Sequence, residues 1–295
     1  MRVLVTGASA SLARAVLPRL CAEPSIEQVT GVDLRPPVFA HPKFRALQAD
    51  FRGEETVALL PEHDALLHMA YVVLRGRMNA ATMREINVGS SLHLLQAAQA
   101  AGLRRIVHLS SAAVYGGGAE LAESTPFAPL PGFLYGQHKA ELEREIERAL
   151  PQCVRLRPHV ILGPHAQPVL RQILALPAYL RIVGPQPELQ CVHEDDVAAA
   201  VVASLLREVA GPFNLAAPGR WTLRDVMRAR HVRCLPLPPA AAQAALSVAH
   251  GVFGWGGEPG WLAGLQRTLT LDCRRAEEQL GWHPARDAAQ TLADT

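Results

Sequence analysis

The sequence is poor in cysteine, and its cysteines are dispersed. Five occur in 295 residues, and no two form a Cys-x-x-Cys pair, so neither a disulfide framework nor a thiolate metal site is predicted. The 12 histidines also lack the helical spacing of metal ligands. We therefore expect no metal, and we expect reduced core residues at Cys21, Cys153, Cys191, Cys234 and Cys273.

Charged residues are also few, and their signs are balanced. They make up 19% of the chain and leave a net charge of +2, and no run of basic residues is longer than a pair. A nucleic-acid partner is therefore not expected. Long apolar runs are missing as well, since the longest weakly polar stretch, Ala240 to Val252, is too short to span a bilayer. With no targeting segment before the first strand pattern, we expect a cytoplasmic protein without a membrane partner.

The N-terminal segment has the pattern of a strand, a turn of small residues and a helix. An aliphatic run, Arg2 to Thr6, leads into Gly7-Ala8-Ser9-Ala10-Ser11-Leu12-Ala13 and then into an apolar helical stripe. A backbone approaches a pyrophosphate in this way, with the phosphate charge at the helix N-terminus. We predict that the hydroxyls of Ser9 and Ser11 donate to phosphate oxygens. The cofactor-binding residues predicted here are Gly7, Ser9, Ala10, Ser11 and Leu12.

The second predicted strand ends in an acidic residue, Asp33. A carboxylate about 20 residues beyond the glycine turn suits the adenosine ribose diol and repels a 2′-phosphate. NAD is therefore the expected cofactor. NADP is the alternative, because the Arg35 guanidinium could partly accommodate the phosphate.

Strand and helix patterns alternate through about residue 160. This alternation predicts a parallel sheet covered on both faces, a Rossmann-type doubly wound α/β fold. Strands are predicted at 2-6, 28-33, 44-48, 64-69, 104-110 and 153-157, with helices between them, including a long one near 80-101. Proline-rich stretches after Gly163 indicate a smaller lobe. We predict an NAD-binding Rossmann domain over 1-162, with 189-215 returning to it, and a substrate-binding lobe over 163-188 and 216-295.

Ser111, Tyr135 and Lys139 are the candidate catalytic residues. Ser111 follows a buried strand pattern, and Tyr135 and Lys139 lie four residues apart on a predicted helix, so both point to one cleft. A tyrosine can accept a proton from an alcohol if an ammonium and an oxidised nicotinamide stabilise its phenolate. A serine hydroxyl can hold the substrate oxygen. Taken alone, the Tyr-x-x-x-Lys pair is more typical of a packed ring beside a solvated lysine, and its position after the glycine turn favours catalysis.

With these residues in place, the chain resembles the extended short-chain dehydrogenase/reductase superfamily, in its NAD-dependent epimerase/dehydratase group. The resemblance covers nearly the whole chain. Its ordered matches are Thr6-Gly7-Ala8, Asp33, Ala49-Asp50-Phe51, His68-Met69-Ala70, Asn87-Val88, Ser110-Ser111, Val114-Tyr115-Gly116, Tyr135 to Lys139, Arg157-Pro158, Gly163-Pro164, His193 to Asp196, and Leu280-Gly281-Trp282 with Pro284.

The resemblance implies further site residues and a partner. Asp50 and Phe51 would line the adenine pocket, Ala70 would pass beneath the nicotinamide ribose, and Asn87 would brace the sheet near the active site. Pro158 would lie beside the nicotinamide, and His68 and Val160 complete the predicted cofactor-binding set, to which Tyr135 and Lys139 also belong. A homodimer through helices near 80-101 and 135-149 is also implied.

The chain departs from the family pattern in two places. The glycine motif reads Gly7, Ala10, Ala13, so a methyl group stands where backbone usually approaches the pyrophosphate. Nucleotide-sugar members carry an asparagine and an arginine that face the substrate's diphosphate, where this chain has Val160 and Leu189. An apolar residue cannot pair with a phosphate, although a different anion site could be formed by Arg75, Arg77, Arg171 or Arg181.

Three functions remain open at this point. The first is a dehydrogenase or reductase that acts on the secondary alcohol or ketone of a small-molecule substrate, favoured by Val160 and Leu189. The second is a redox-neutral epimerase or dehydratase of nucleotide sugars. The third is a protein that senses a dinucleotide without turnover, favoured by Ala10. An apolar stripe from Trp255 to Trp261 belongs either to the substrate pocket or to packing of the lobe.

Overall fold

The centre of the molecule is a seven-stranded sheet in which all strands are parallel. The computed structural model describes residues 1–73, 78–167, 170–171, 178–182, 186–238, 241, 244, 263–264 and 266–295. The strand order is β11-β7-β5-β4-β1-β2-β3. These strands are β1 Arg2–Thr6, β2 Gln28–Asp33, β3 Phe44–Gln48, β4 Ala65–His68, β5 Arg105–Leu109, β7 Val154–Pro158 and β11 Gly211–Leu215.

The central strands are apolar because both faces of the sheet are covered. Val3 and Val5 pack into one hydrophobic cluster with a pair of helices, and Leu4 packs into a second cluster on the opposite face. Successive side chains of a strand point to opposite faces, so a continuous aliphatic run fits a sheet buried on both sides. The predicted doubly wound fold is therefore confirmed, and the six predicted strands agree with the observed ones to within one residue at each end.

Helices follow most strands of the sheet, as a parallel connection requires. The α-helices are α1 Ala13–Ala22, α2 Glu54–Val57, α3 Ala80–Arg84, α4 Ser91–Ala100, α5 Leu134–Ala149, α6 Glu194–Leu206, α7 Leu223–Ala229 and α8 Ala288–Ala293. Short 3₁₀ turns occupy Leu60–Glu62 and Ala112–Tyr115. Among the described residues, no helix combines the length and the apolar character needed to cross a membrane.

The long helix predicted near 80-101 is interrupted by a wider turn. A π-helical segment, Glu85–Ser90, separates α3 from α4. Within it, the Asn87 amide both accepts from the Val72 amide at 2.8 Å and donates to the Val72 carbonyl at 2.9 Å. Such bulges commonly mark functional regions, and this one turns a helical side chain toward the end of β4.

The other strands in the described part of the chain form three short pairs. They are β8 Val160–Leu162 with β10 Cys191–His193, β9 Ala178–Ile182 with β12 Arg233–Leu237, and β6 Gly118–Leu121 with β13 Leu269–Leu271. Ala276, Leu280 and Trp282 belong to the hydrophobic cluster that also contains Val3 and Val5. This part of the predicted lobe therefore packs on the main domain, and the division into two domains stays a prediction.

Candidate active site

The glycine turn lies where the strand order of the sheet reverses, between β1 and β4. A Cβ atom on Gly7 would come within 2.6 Å of the Ala70 backbone nitrogen, and the φ angle of Gly7 is +77°. No side chain fits at Gly7, because the backbone that follows β1 contacts the backbone that follows β4 at this point. In open parallel sheets, ligands bind at this crevice outside the carboxyl ends of the strands.

The turn beyond Gly7 keeps an ordinary backbone at Ala10. Among the described residues, the non-glycine residues with a positive φ angle are Glu120 and His231. Ala10 is not one of them, so its backbone conformation does not require a glycine. Ala10 and Ser11 are half-buried, and α1 follows directly with Leu12 at its N-cap. The Leu12 side chain packs in the core, so its backbone is the part available to a phosphate.

Asp33 is tied to the glycine turn by hydrogen bonds. Its carboxylate accepts from the Ser9 amide at 2.9 Å and from the Arg35 amide at 3.2 Å. The Ser9 hydroxyl donates to the Arg35 carbonyl at 2.8 Å, so its single proton is already engaged. Ser9 thus fixes the position of the acidic residue in this structure, and donation from its hydroxyl to a phosphate stays a prediction.

Replacing Asp33 with asparagine should relax the preference for NAD over NADP. The substitution keeps the shape and an acceptor for Ser9 but removes the charge that we predict to bond the ribose diol and to repel a 2′-phosphate. A hydrogen bond to a charged group contributes about 1.5–3 kcal/mol, so we expect the ratio of the NADP to the NAD dissociation constant to fall about 10- to 100-fold. Isothermal titration calorimetry with both dinucleotides measures it.

Glu27→Gln is the matched control for Asp33→Asn. Glu27 precedes the amino end of the same strand, is exposed and pairs with the N-terminal ammonium. Its removal should leave the ratio unchanged. Equal ratios in the wild type and Asp33→Asn would contradict a role for Asp33 in choosing the cofactor.

Ser111 and Tyr135 meet at the carboxyl edge of β5. Ser111 caps the turn Ala112–Tyr115, where its hydroxyl accepts from the Ala113 amide at 3.1 Å. Tyr135 lies in the first turn of α5, which follows Phe133. Burial raises the pKa of the Tyr135 phenol, and a hydrogen bond with the Ser111 side chain opposes this rise. The two side chains therefore lie together at this edge, as the predicted catalytic pair requires.

Lys139 lies one turn further along α5, and it is almost completely buried. Its ammonium donates to the Leu109 carbonyl at 2.6 Å and lies 3.5 Å from the centre of the Tyr71 ring. Burial lowers the pKa of Lys139 to about 7, and the charge of Glu143 opposes this shift. The Tyr71 ring also packs edge-on against the Tyr135 ring, with 5.5 Å between their centres.

Asn87 and His68 support the site from inside the protein. Asn87 is fully buried, and its amide is bonded to the Val72 backbone, as expected of a brace. His68 is also fully buried, with its two ring nitrogens bonded to the hydroxyls of Thr6 and Ser91. The ring is therefore enclosed by its partners, and the predicted contact between His68 and the cofactor stays a prediction.

The predicted adenine side is open to solvent in part. Asp50 and Phe51 are half-buried after β3, and Asp50 forms a salt bridge of 2.6 Å with Arg52. Hydrogen bonds from Arg52 lower the pKa of Asp50. The Phe51 ring packs against the buried His68 ring, with 5.2 Å between the ring centres. Phe51 therefore connects the predicted adenine side to the interior of the protein.

Val160 and Leu189, which replace polar residues of the family's nucleotide-sugar members, lie in or beside short strands. Pro158 ends β7, and the half-buried Val160 begins β8. Leu189 is only 5% exposed and bridges Trp221 and Leu269 through its backbone. Arg75, Arg77 and the stretch 255–261 lie outside the described residues, as does the side chain of Arg181, whereas Arg171 is described and exposed.

Two residues of the site were not predicted from the sequence. Tyr71 contacts both Tyr135 and Lys139. The one feature of the sequence that could have indicated this is its position as an aromatic residue directly after Ala70. Glu143 accepts from Ser110, beside Ser111, and from Arg157, beside Pro158. The sequence feature that could have indicated Glu143 is its spacing, which places its carboxylate on the same helical face as Tyr135 and Lys139. In the part of the chain that is described, no group of three or more His, Cys, Asp or Glu could hold a metal ion.

A parallel sheet with a close-packed glycine turn at its switch point, and with an acidic residue at the end of the next strand, defines a dinucleotide-binding protein of the Rossmann class. The model of the NAD dependent epimerase/dehydratase family matches residues 3–216. The match covers more than half of the chain, so the chain belongs to this family. It is an enzyme whose cofactor is NAD, and the geometry at Gly7 and Asp33 fits that cofactor.

Relatives of this chain include proteins of several bacteria. Uncharacterised protein y4nG of Sinorhizobium fredii is 25% identical over 313 residues, which cover 99% of this chain and 77% of y4nG. A 3-beta-hydroxysteroid dehydrogenase of Mycolicibacterium neoaurum is 28% identical over 193 residues, which cover 58% of this chain and 50% of that enzyme. The solved structure of MoeE5 in complex with UDP-glucuronic acid and NAD is similar in fold, with a TM-score of 0.78 and 21% identity over 100% of this chain and 97% of MoeE5.

Proposed function

We propose that the protein is a net NAD-dependent oxidoreductase that acts on a secondary alcohol or ketone in an apolar or modestly polar small molecule. The observation that carries this proposal is the pairing of Ser111 with Tyr135 at the carboxyl edge of the sheet, with Lys139 one turn away. These are the groups needed to hold an alcohol oxygen and to move its proton.

Each residue has one task in the proposed reaction. Bound over the Gly7 turn with its ribose on Asp33, NAD supplies the hydride acceptor. Ser111 orients the alcohol oxygen, and the Tyr135 phenolate accepts its proton. Because burial raises the pKa of Tyr135, the phenolate needs a cation near it, and the Lys139 ammonium is the protein's own source of that charge while also holding the ribose. In reduction, Tyr135 returns the proton to the ketone oxygen.

The substrate class is argued from Val160 and Leu189. Nucleotide-sugar members of the superfamily place polar residues at these two positions, and neither side chain here can bond a phosphate. Leu189 is buried, so a diphosphate gains nothing from it. The similarity to a 3-beta-hydroxysteroid dehydrogenase supports a substrate with an apolar body and a secondary alcohol.

The second candidate is a redox-neutral epimerase or dehydratase of nucleotide sugars. It is supported by the family and by the similarity in fold to MoeE5, which was solved with UDP-glucuronic acid and NAD. Such an enzyme can keep its cofactor through many turnovers, whereas a net dehydrogenase releases it in each. The homodimer through α3, α4 and α5 stays a prediction in either case.

Two measurements on the purified protein separate the candidates. NADH formation from NAD is followed with a panel of hydroxysteroids and smaller secondary alcohols, and sugar products are followed with UDP-glucose and UDP-glucuronic acid. We expect NADH formation with at least one apolar alcohol, and exchange of labelled NAD on the timescale of mixing. Conversion of a nucleotide sugar without net NADH, together with slowly exchanging NAD, would replace our proposal with the second candidate.

A further inference from the structure

Tyr71 follows the end of β4, on a backbone that is fixed from both sides. The amide of Met69 donates to the Thr6 carbonyl at 3.1 Å, and the Ala70 backbone packs against Gly7. On the other side, both backbone polar groups of Val72 are bonded to the Asn87 amide. The backbone therefore cannot shift easily, and the Tyr71 ring can change position mainly by rotation of its side chain.

The Tyr71 ring lies directly against the two residues that the proposed reaction needs. The Lys139 ammonium is 3.5 Å from the ring centre, well inside the range of a cation–π contact. The Tyr71 hydroxyl donates to the Tyr135 carbonyl at 3.4 Å. On its other side, the Lys139 ammonium donates to the Leu109 carbonyl at 2.6 Å. Its charge is thus shared between a carbonyl oxygen and an aromatic face.

A ribose hydroxyl bound by Lys139 has to approach the same ammonium. The Gly7 turn and Ala70 are in contact, so a dinucleotide over this turn extends past the end of β4, toward the residue that follows Ala70. That residue is Tyr71, and its ring covers one side of the ammonium. Ring and ribose would therefore meet at the same ammonium.

We propose that Tyr71 is an internal competitor of NAD, whose ring leaves the Lys139 ammonium when the nicotinamide ribose binds. This inference rests on the role given to Lys139 in the proposed function. Binding then exchanges a cation–π contact for hydrogen bonds to the ribose, so the affinity for NAD is lower than the site would otherwise allow. A weaker, exchangeable cofactor suits a net dehydrogenase, which must release it in every turnover.

Tyr71→Ala tests the competition by calorimetric titration with NAD, which needs no substrate. Loss of a cation–π contact in a desolvated site predicts an NAD dissociation constant about 5- to 30-fold smaller than in the wild type. Tyr71→Phe keeps the ring and loses the hydroxyl, so its constant should stay within about twofold of the wild type. An unchanged or larger constant for Tyr71→Ala, or equal gains for both variants, would overturn the proposal.

A double variant tests whether the competition is for Lys139. Without the ammonium there is nothing to compete for, so Lys139→Met and Lys139→Met/Tyr71→Ala should bind NAD equally. Should the gain from Tyr71→Ala persist without Lys139, the proposal is wrong. A crystal structure of the unaltered protein with NAD decides the matter even if a variant does not fold, since a ring still over Lys139 would refute the exchange. None of these outcomes depends on finding a substrate, so the proposed function is tested separately.

Discussion

Tyr135→Phe should remove most of the turnover while leaving NAD bound. In the proposed reaction the phenol hydroxyl exchanges a proton with the substrate oxygen, and the structure gives it a hydrogen bond with Ser111 at the carboxyl edge of the sheet. Positioned general acid–base catalysis contributes about 10²- to 10⁴-fold, so kcat/KM should fall by that factor. NADH formation measures the loss, and titration with NAD measures the retained binding.

Tyr115→Phe is the matched control, because it also removes a hydroxyl from a buried tyrosine. The Tyr115 hydroxyl donates to the Asn214 side chain at 2.8 Å and accepts from Arg157 at 2.7 Å, inside the protein. Its loss should lower the free energy of unfolding by about 1–3 kcal/mol and change kcat/KM by much less than Tyr135→Phe does. Turnover that survives in Tyr135→Phe would remove Tyr135 from the catalytic set.

The core of the fold was predictable because its signals are local. Aliphatic runs such as Arg2–Thr6 predict buried strands directly, and the alternation of strands with helices leaves few arrangements other than a parallel sheet. The π-helical turn at Glu85–Ser90 was not predictable in this way. It depends on Asn87 reaching the Val72 backbone, a contact between segments that are separate in sequence.

The residues of the candidate site also fall into two groups, those that local sequence patterns predict and those that depend on contacts between distant segments. Gly7, Asp33 and the Tyr135–Lys139 spacing follow from turn and helix geometry, so the sequence sufficed to select them. The burial of the His68 ring was not predictable in this way, because it follows from the register of β4 between β1 and β5. Tyr71 was missed because the direction of its ring depends on packing, which no local pattern encodes.

Glu143 connects three elements that carry or adjoin candidate site residues. From α5, its carboxylate accepts from the Ser110 hydroxyl and from the Arg157 guanidinium, with a shortest distance of 2.6 Å to Arg157. The Arg155 guanidinium lies 3.2 Å from the same carboxylate. All four side chains are buried, and the Glu143 carboxylate faces both guanidinium groups, while Arg155 has a second, exposed acidic partner in Glu147 at 3.6 Å.

Glu143→Gln should therefore be among the most destabilising isosteric substitutions in the chain. Removing one partner from a buried ion pair leaves uncompensated charge and costs about 3–5 kcal/mol, much more than the hydrogen bonds alone would suggest. We expect the free energy of unfolding, measured by urea denaturation, to fall by about this amount. Catalysis should fall as well, since Ser111 and Pro158 are held by the neighbours of this carboxylate.

Glu141→Gln provides the comparison from the same helix. Glu141 pairs with Arg84 near the surface, where the two side chains are 33% and 55% exposed. A surface pair contributes about 0–1 kcal/mol, so this variant should unfold at nearly the wild-type urea concentration. If the two glutamine variants unfolded at the same urea concentration, the buried charges would not be held by Glu143. A large difference would instead mean that one carboxylate positions the strand ends and the helix of the site together.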